Sequence, residues 1–131
     1  MDQISNFLNQ LKLAGRAQKE YIIVPFSKVK LAIAKTLEKE GYVASVEKAE
    51  VKGHPYIRVN VLYTGKDMKD ARISNIERVS RLSQRVYSPV KKLRPYKYGK
   101  GMTVLTTPKG VMSDTEAKKE MVGGEVLFRI W

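Results

Sequence analysis

Residues 102–131 are MTVLTTPKGVMSDTEAKKEMVGGEVLFRIW, and this stretch decides the class of fold. Residues 102–106 are rich in β-branched side chains and predict a strand, and 125–131 predict another because their apolar residues alternate. Ser113 and Glu116 have the spacing of a capping box, so we expect a short helix between these strands. Strands are therefore predicted to dominate this end of the chain.

Shorter patterns occupy the residues that precede this stretch. We predict strands over 71–79 and 85–87 and a loop or short turn of helix over 90–98. This region is rich in Lys and Arg, and such a segment could bind an anionic membrane surface. A membrane-binding segment of this kind is usually one long amphipathic helix, and prolines and glycines interrupt the region too often for that. An anionic membrane is therefore the weaker explanation of the positive charge of this region.

The first half of the chain begins with helical periodicity. Apolar residues spaced i, i+3, i+4 and i+7 predict a first helix that Asp2 caps and that ends near Gly15. Residues 21–24 predict a short buried strand, stopped by Pro25. Ser27 is the predicted N-cap of a second helix, and the glycine at 41 its C-terminal stop. The predicted buried stripe of this second helix is Val29, Ile33 and Leu37.

Two further strands complete the first half. Residues 42–46 and 56–63 predict strands joined through a turn at 52–55, and alternation in the second indicates one buried face. The first half is thus predicted to be α-β-α-β-β. With strands dominating the second half, the expected class is α+β, with an amino-terminal lobe over 1–65 and a mainly β lobe over 66–131.

Positive charge is the strongest compositional signal. The chain of 131 residues has 25 Lys and Arg against 13 Asp and Glu, a formal net charge of +12. From Arg72 to Lys109 there are ten basic residues and one acid, Glu77. Because a surface that serves solubility alone mixes the two signs, this cluster favours a polyanionic partner, and nucleic acid above all.

Composition also excludes several classes of protein. The chain has no cysteine and one histidine, His54, which excludes disulfide scaffolds, zinc fingers and thiol nucleophiles. The longest apolar run, 21–26, is far shorter than a membrane span, and the start does not resemble a signal peptide, so we expect a soluble cytoplasmic protein. No pair of acids suggests catalysis, and the glycines at 99 and 101 lack the spacing of a nucleotide-binding loop. We therefore expect no enzyme, no metal and no cofactor.

One short segment combines side chains suited to a sugar-phosphate backbone. Thr106 to Gly110 brings together two hydroxyls, a rigid proline, a lysine and a flexible glycine just past a predicted strand. Small hydroxyl side chains approach phosphates and ribose closely and lose little entropy when they are ordered. The same residues also fit an ordinary turn before a capped helix. Tyr87 has two interpretations as well, a stacking platform for an unpaired base or a core residue at a strand end.

The chain resembles a known family over nearly its whole length. Residues 106–114 and 123–126 are similar to the carboxy-terminal signature of the bacterial-type small-subunit ribosomal protein S-eight family, S-T-S-x-G-V-[LM]-[ST]-D followed by G-G-E-I. Pro108 replaces the third hydroxyl of that pattern. The resemblance continues, in the family's order, at 25–30, 40–42, 78–80, 85–87 and 99–101.

This resemblance implies a fold and a function. It implies an α-β-α-β-β lobe beside a small antiparallel sheet with a short helix. It also implies direct binding to the central domain of small-subunit ribosomal RNA, a role in assembly, neighbouring small-subunit ribosomal proteins as partners, and in some bacteria repression of the protein's own messenger. By correspondence the predicted RNA-binding residues are Thr106, Thr107, Pro108, Lys109, Tyr87, Arg85, Gly124, Glu125, Ser27, Lys28 and Lys30.

We therefore interpret the sequence as a non-catalytic ribosomal RNA-binding protein, monomeric outside the ribosome. The alternative is a sequence-tolerant DNA-binding or nucleoid protein, which has the same charge but does not discriminate a ribosomal stem from duplex DNA. Glu125 has three interpretations at this point: an acceptor for a base, an acceptor for a ribose hydroxyl, or a group that orients the loop.

Overall fold

The chain folds into helices and short antiparallel strands that form two compact units, Gln3–Ser74 and Asn75–Trp131. The computed structural model describes residues 3–65, 67–94 and 101–131. The elements in chain order are α1 (Gln3–Arg16), β1 (Tyr21–Pro25), α2 (Lys28–Lys39), β2 (Val43–Val51), β3 (His54–Val61), β4 (Tyr63–Thr64), β5 (Asp70–Ala71), β6 (Ile76–Arg78), β7 (Tyr87–Ser88), a 3-10 turn (Val90–Lys92), β8 (Met102–Thr107), β9 (Gly110–Ser113), α3 (Asp114–Lys119) and β10 (Gly124–Ile130). The α+β class is confirmed, and the lobe boundary after residue 65 stays a prediction.

The first unit is built on a three-stranded antiparallel sheet in the order β1-β3-β2. Alternate residues of β1 and β3 are buried, so α1 and α2 pack on one face of this sheet while its other face stays accessible. The predicted order α-β-α-β-β is confirmed. Gly41, with φ of +80°, follows α2 in the left-handed conformation expected after a helix end.

The buried stripe of α2 differs from the predicted one. Val29 is 45% exposed, whereas Lys30, Ile33 and Leu37 are buried. The stripe thus begins at Lys30, because residues 30, 33, 34 and 37 share one helix face and the long aliphatic stem of a lysine packs against apolar neighbours. The expectation for Val29 was wrong.

The second unit is a five-stranded sheet in which β10 pairs with β6, β7 and β8, and β8 pairs with β9. A bulge between Val126 and Phe128 lets three successive residues of β10 be buried. As predicted, Ser113 caps α3, since its hydroxyl accepts a hydrogen bond from Glu116 N at 3.2 Å. Leu105, Met112 and Ala117 bring β8, β9 and α3 into one apolar core.

One strand prediction was wrong and one strand was not predicted. The predicted strand over 71–79 is two separate strands, because β5 pairs with β4 and β6 pairs with β10. Strand β9 was not predicted, and it pairs with β8 from Val104 to Thr107. Among the described residues, no helix is long and apolar enough to cross a membrane.

Candidate nucleic-acid interface

The hydroxyl-rich segment is the tight turn of the β8–β9 hairpin. Thr107 pairs with Gly110 across the hairpin, which leaves Pro108 and Lys109 exposed at the tip. The Thr107 hydroxyl donates to the carbonyl oxygen of Gly110 at 2.8 Å and accepts from the backbone N–H of Lys109 at 3.1 Å. Gly110 has φ of +117°, a conformation that other residues rarely adopt. The turn is therefore closed by a side chain as well as by its backbone.

The two threonines have different environments. Thr107 is 9% exposed and its hydroxyl bonds within the turn, so its role in RNA binding stays a prediction. Thr106 is half-buried, and its hydroxyl forms no hydrogen bond within the part of the chain that the structure describes. Thr106 is thus the hydroxyl free to meet a ligand, while Thr107 holds the turn in shape.

Glu125 brings three of the predicted residues together. It lies directly opposite Thr106 on one neighbouring strand and directly opposite Tyr87 on the other. Residues directly opposite each other in a sheet point to the same face, so these three side chains share one surface. An Arg85 guanidinium nitrogen lies 3.1 Å from a carboxylate oxygen of Glu125. The carboxylate of Glu125 thus positions Arg85, a role that the sequence did not predict, and the three interpretations of Glu125 stay predictions.

Tyr87 is a surface residue. It is 70% exposed, which excludes the core alternative. An exposed ring on a sheet face is suited to stacking against a base. The surface formed by Arg85, Tyr87, Thr106 and Glu125 together with the Pro108–Lys109 tip is called the β7–β10–β8 face below.

Two glycines let the strands approach at this face. A Cβ atom on Gly124 would overlap the backbone carbonyl oxygen of Thr106. A Cβ atom on Gly123 would overlap the carbonyl oxygen of Ser88. No larger residue fits here without displacing backbone, so Gly124, predicted as a contact residue, is also required for packing.

One structural residue that was not predicted from the sequence is Ser80, which holds the loop before β7 in place. Ser80 is fully buried, and its hydroxyl donates to the carbonyl oxygen of Val86 at 3.2 Å and accepts from Val86 N at 2.9 Å. Backbone hydrogen bonds between Arg81 and Gln84 close the hairpin tip. This clamp sets the path of the chain into Arg85 and Tyr87. A buried serine has no periodic signature in a sequence, so Ser80 was matched only as part of residues 78–80 and its role was not predicted.

Basic side chains gather next to Tyr87. A cavity of about 380 Å³ lies beside it, and among the described residues its lining includes Lys92, Arg94 and Arg129 together with Thr103. Lys92 and Arg94 belong to the predicted basic cluster. Arg129 lies outside that cluster. The alternation predicted for residues 125–131 places it on the face opposite the apolar residues of that strand. The arrangement can attract phosphate groups to the edge of the β7–β10–β8 face.

The predicted residues of the first unit are only partly accessible. Lys28 is exposed and Ser27 is half-buried at the N-cap of α2, where its side chain forms no capping hydrogen bond. Lys30 is 7% exposed and lines a cleft with Phe7 and Phe26. Lys28 is therefore the most accessible of the three.

Neither His54 nor a group of acidic side chains forms a metal site among the described residues. His54 is exposed, and it is the first residue of β3, where it pairs with Val51, so the predicted turn over 52–55 is shorter and consists of residues 52 and 53. Residues 3–65, 67–94 and 101–131 contain no group of three His, Asp or Glu side chains that could hold a metal ion. The predicted cap at Asp2, residues 95–98 of the predicted loop and the glycine at 99 lie outside the described residues.

The chain is similar to known proteins of one family over nearly its full length. The profile of the family described as ribosomal protein S8 matches residues 2–131. A small ribosomal subunit protein uS8 from Thermus aquaticus is 39% identical, over 99% of this chain and 98% of that protein. Proteins of the same name from Acidobacterium capsulatum (99% of this chain, 97% of that protein) and Bdellovibrio bacteriovorus (100% of both) are each 37% identical.

Proposed function

Because the chain belongs to the ribosomal protein S8 family, we propose that it binds the central domain of small-subunit ribosomal RNA through the β7–β10–β8 face. The observation that carries this proposal is the register of three strands, which presents Tyr87, Glu125 and Thr106 side by side on one surface. The β8–β9 turn projects from the same strands. The chain is a structural, non-enzymatic component of the small ribosomal subunit.

Each part of the face has a distinct role in this proposal. The Thr106 hydroxyl donates to a phosphate or ribose oxygen, and Tyr87 stacks on a base that is not paired in a regular helix. Arg85, held by Glu125 at 3.1 Å, presents its remaining donors in a fixed direction. Lys92, Arg94 and Arg129 attract the RNA backbone without reading its sequence.

The fixed geometry of the face supports recognition of a shape rather than of charge alone. The turn is closed by Thr107, and the strands beneath it are held close by Gly124. A rigid protrusion fits an irregular, widened groove of RNA, whereas a regular duplex offers no matching recess. We also propose that the same face binds a similar stem in the protein's own messenger, that neighbouring ribosomal proteins contact the chain in the subunit, and that it is a monomer outside it.

A competition assay tests this function. The full chain is titrated with a labelled central-domain fragment of small-subunit ribosomal RNA, and duplex RNA and duplex DNA of equal length compete. We expect the ribosomal fragment to win by at least about a thousandfold, the lower end of the usual difference between specific and non-specific binding. Equal competition by duplex DNA would support the sequence-tolerant alternative and overturn the proposal.

The salt dependence of the same assay measures the electrostatic part. The logarithm of the association constant should fall linearly with the logarithm of salt concentration, by about 0.7 to 0.9 for each phosphate contacted. Lys92→Ala should reduce the steepness of that slope by the amount expected for about one phosphate contact. Lys52→Ala, in the β2–β3 turn of the other unit, should leave the slope unchanged. A slope near zero would contradict a role for the basic residues.

A further inference from the structure

The outer edge of β1 is unpaired among the described residues. β1 is the first strand in the sheet order β1-β3-β2, so only one of its edges is bonded to another strand. Hydrogen bonds from Val61 N to Glu20 O and from Phe26 N to Pro55 O mark the bonded pairs of this antiparallel ladder. By alternation, Ile22 and Val24 bond inward to β3, and the N–H and C=O groups of Tyr21 and Ile23 point outward.

These outward groups have no partner in the described part of the chain. None of its hydrogen bonds involves the backbone N–H of Tyr21 or of Ile23. Pro25, next in the outward series, has no N–H to offer. A free edge with two donors in series is a template for one more strand.

An apolar groove runs beside this edge. It lies between α1 and β1, has a volume of about 480 Å³, and is lined by Leu13 and Ala17 from the helix and by Tyr21 and Ile23 from the strand. Leu13 is 56% exposed, Ile23 43% and Tyr21 40%. Apolar side chains next to free backbone groups suit an extended polypeptide, whose backbone fills the ladder and whose alternate side chains fill the groove. RNA uses neither feature.

The positive charge around the groove favours an acidic partner. Residues 3–19 contain Lys12, Arg16 and Lys19 and no acid, and Lys19 itself lines the groove. Arg58, stacked on the ring of Tyr21 at 4.0 Å, adds a cation on the open face of the sheet. Glu20 adjoins these groups along the chain and Glu47 lies opposite Arg58 on β2, so the cations named here outnumber these two carboxylates. A second copy of this chain would bring the same cations against them, so self-association is disfavoured.

We propose that β1 accepts, as an added strand, an extended segment of another protein that carries alternating apolar and acidic residues, seated in the groove between β1 and α1. Backbone hydrogen bonds to Tyr21 and Ile23 hold the segment, apolar side chains contact Leu13 and Ala17, and carboxylates meet the surrounding cations. This proposal rests on the first unit alone and is independent of RNA binding by the β7–β10–β8 face.

The probe is the synthetic peptide acetyl-EVEVEV-amide, added to the nitrogen-15-labelled full chain up to about 1 mM, where millimolar dissociation constants are still measurable. We expect the amide signals of Tyr21 and Ile23 to shift and their hydrogen exchange to slow. The peptide acetyl-KVKVKV-amide should bind at least about tenfold more weakly. Absence of any change at these two amides would overturn the proposal.

Two variants separate backbone pairing from non-specific adhesion. Ile23→Pro removes one outward donor, and because that N–H does not bond to β3, the strand should persist. It should weaken peptide binding at least about fivefold. Leu13→Glu should do the same through charge and lost apolar contact, and Leu82→Glu, equally exposed in the other unit, is the matched control. Equal peptide affinity of all three variants and the parent chain would contradict the proposed geometry.

Single-stranded RNA is the competing occupant of this surface. Oligouridylate added to the labelled chain should leave the Tyr21 and Ile23 amides unchanged. If it shifts them and the acidic peptide does not, the groove is an RNA contact and the proposal fails. Binding of the ribosomal RNA fragment by Ile23→Pro should equal that of the parent chain, so failure of the proposed function is recognised separately.

Discussion

Gly124 lies so close to Thr106 that a Cβ atom on the glycine would overlap the threonine carbonyl oxygen. The close β10–β8 contact beneath the hydroxyl-rich turn therefore depends on glycine having no side chain at position 124. We expect Gly124→Ala to destabilise the protein by about 1–3 kcal/mol, since the strands must separate to admit the methyl group. Chemical denaturation measures this change, and Ser83→Ala, at an exposed position, should be neutral. An unchanged midpoint would contradict the close approach.

The two threonines of the turn should respond differently to loss of their hydroxyls. Thr106→Val removes a donor that no described residue uses, so it should weaken RNA binding by about 1–3 kcal/mol and leave unfolding nearly unchanged. Affinity for the ribosomal RNA fragment and thermal denaturation measure the two effects. Thr115→Val, exposed on α3, is the matched control for both. A Thr106 variant with full affinity would remove this hydroxyl from the contact surface.

Thr107→Val should instead lower the free energy of unfolding. It breaks the hydrogen bonds to Gly110 O and from Lys109 N, which together contribute about 1–2 kcal/mol. Thr107→Ser keeps the hydroxyl and should recover most of the stability. If valine and serine variants unfold alike, the hydroxyl does not close the turn.

The Arg85–Glu125 pair should affect specificity more than affinity. Glu125→Gln frees the guanidinium that the carboxylate holds at 3.1 Å and raises the net positive charge by one. We expect binding to random duplex to increase while discrimination in favour of the ribosomal fragment falls by about 1 kcal/mol, roughly fivefold. Glu50→Gln changes the charge equally in the other unit and should leave discrimination intact. Equal discrimination by both variants would contradict the positioning role of Glu125.

Tyr63 gives the first unit a pH-dependent contribution. Its hydroxyl donates to the carbonyl oxygen of Lys19 at 2.5 Å, and burial raises the pKa of Tyr63 above its ordinary value. Because the folded pKa is the higher one, this stability is complete below the ordinary value near 10 and is lost as the pH rises through the folded pKa. Tyr63→Phe should therefore cost about 1 kcal/mol at pH 7 and show a smaller alkaline loss. Denaturation at pH 7 and across pH 9–11, with Tyr56→Phe as control, measures both.

Local signals explain which parts of the fold could be predicted. The Ser113 cap and the Gly41 stop depend on neighbours within a few residues, and both are where the sequence indicated. The buried face of α2 depends on what packs against it, and the pattern alone did not distinguish a stripe through Val29 from one through Lys30. Residues 71–79 also look like one strand in isolation, because their division follows from pairing with two distant strands.

The candidate site was predictable as a set of residues and not as a set of roles. The motif identified Thr106, Thr107, Tyr87 and Glu125 together, and strand register brings three of them onto one face. Thr107 could not be distinguished from Thr106, since only the paired hairpin decides which hydroxyl is used internally. The link between Arg85 and Glu125 spans 40 positions in the chain, beyond any local pattern.

Amide-resolved NMR of the full chain, titrated with the central-domain RNA fragment, tests the central claim most directly. The claim predicts that the largest shifts occur at Tyr87, Thr106, Lys109 and Gly124, with slower hydrogen exchange in the β8–β9 turn. Binding of the fragment with these four signals unchanged, and the shifts located elsewhere, would contradict it.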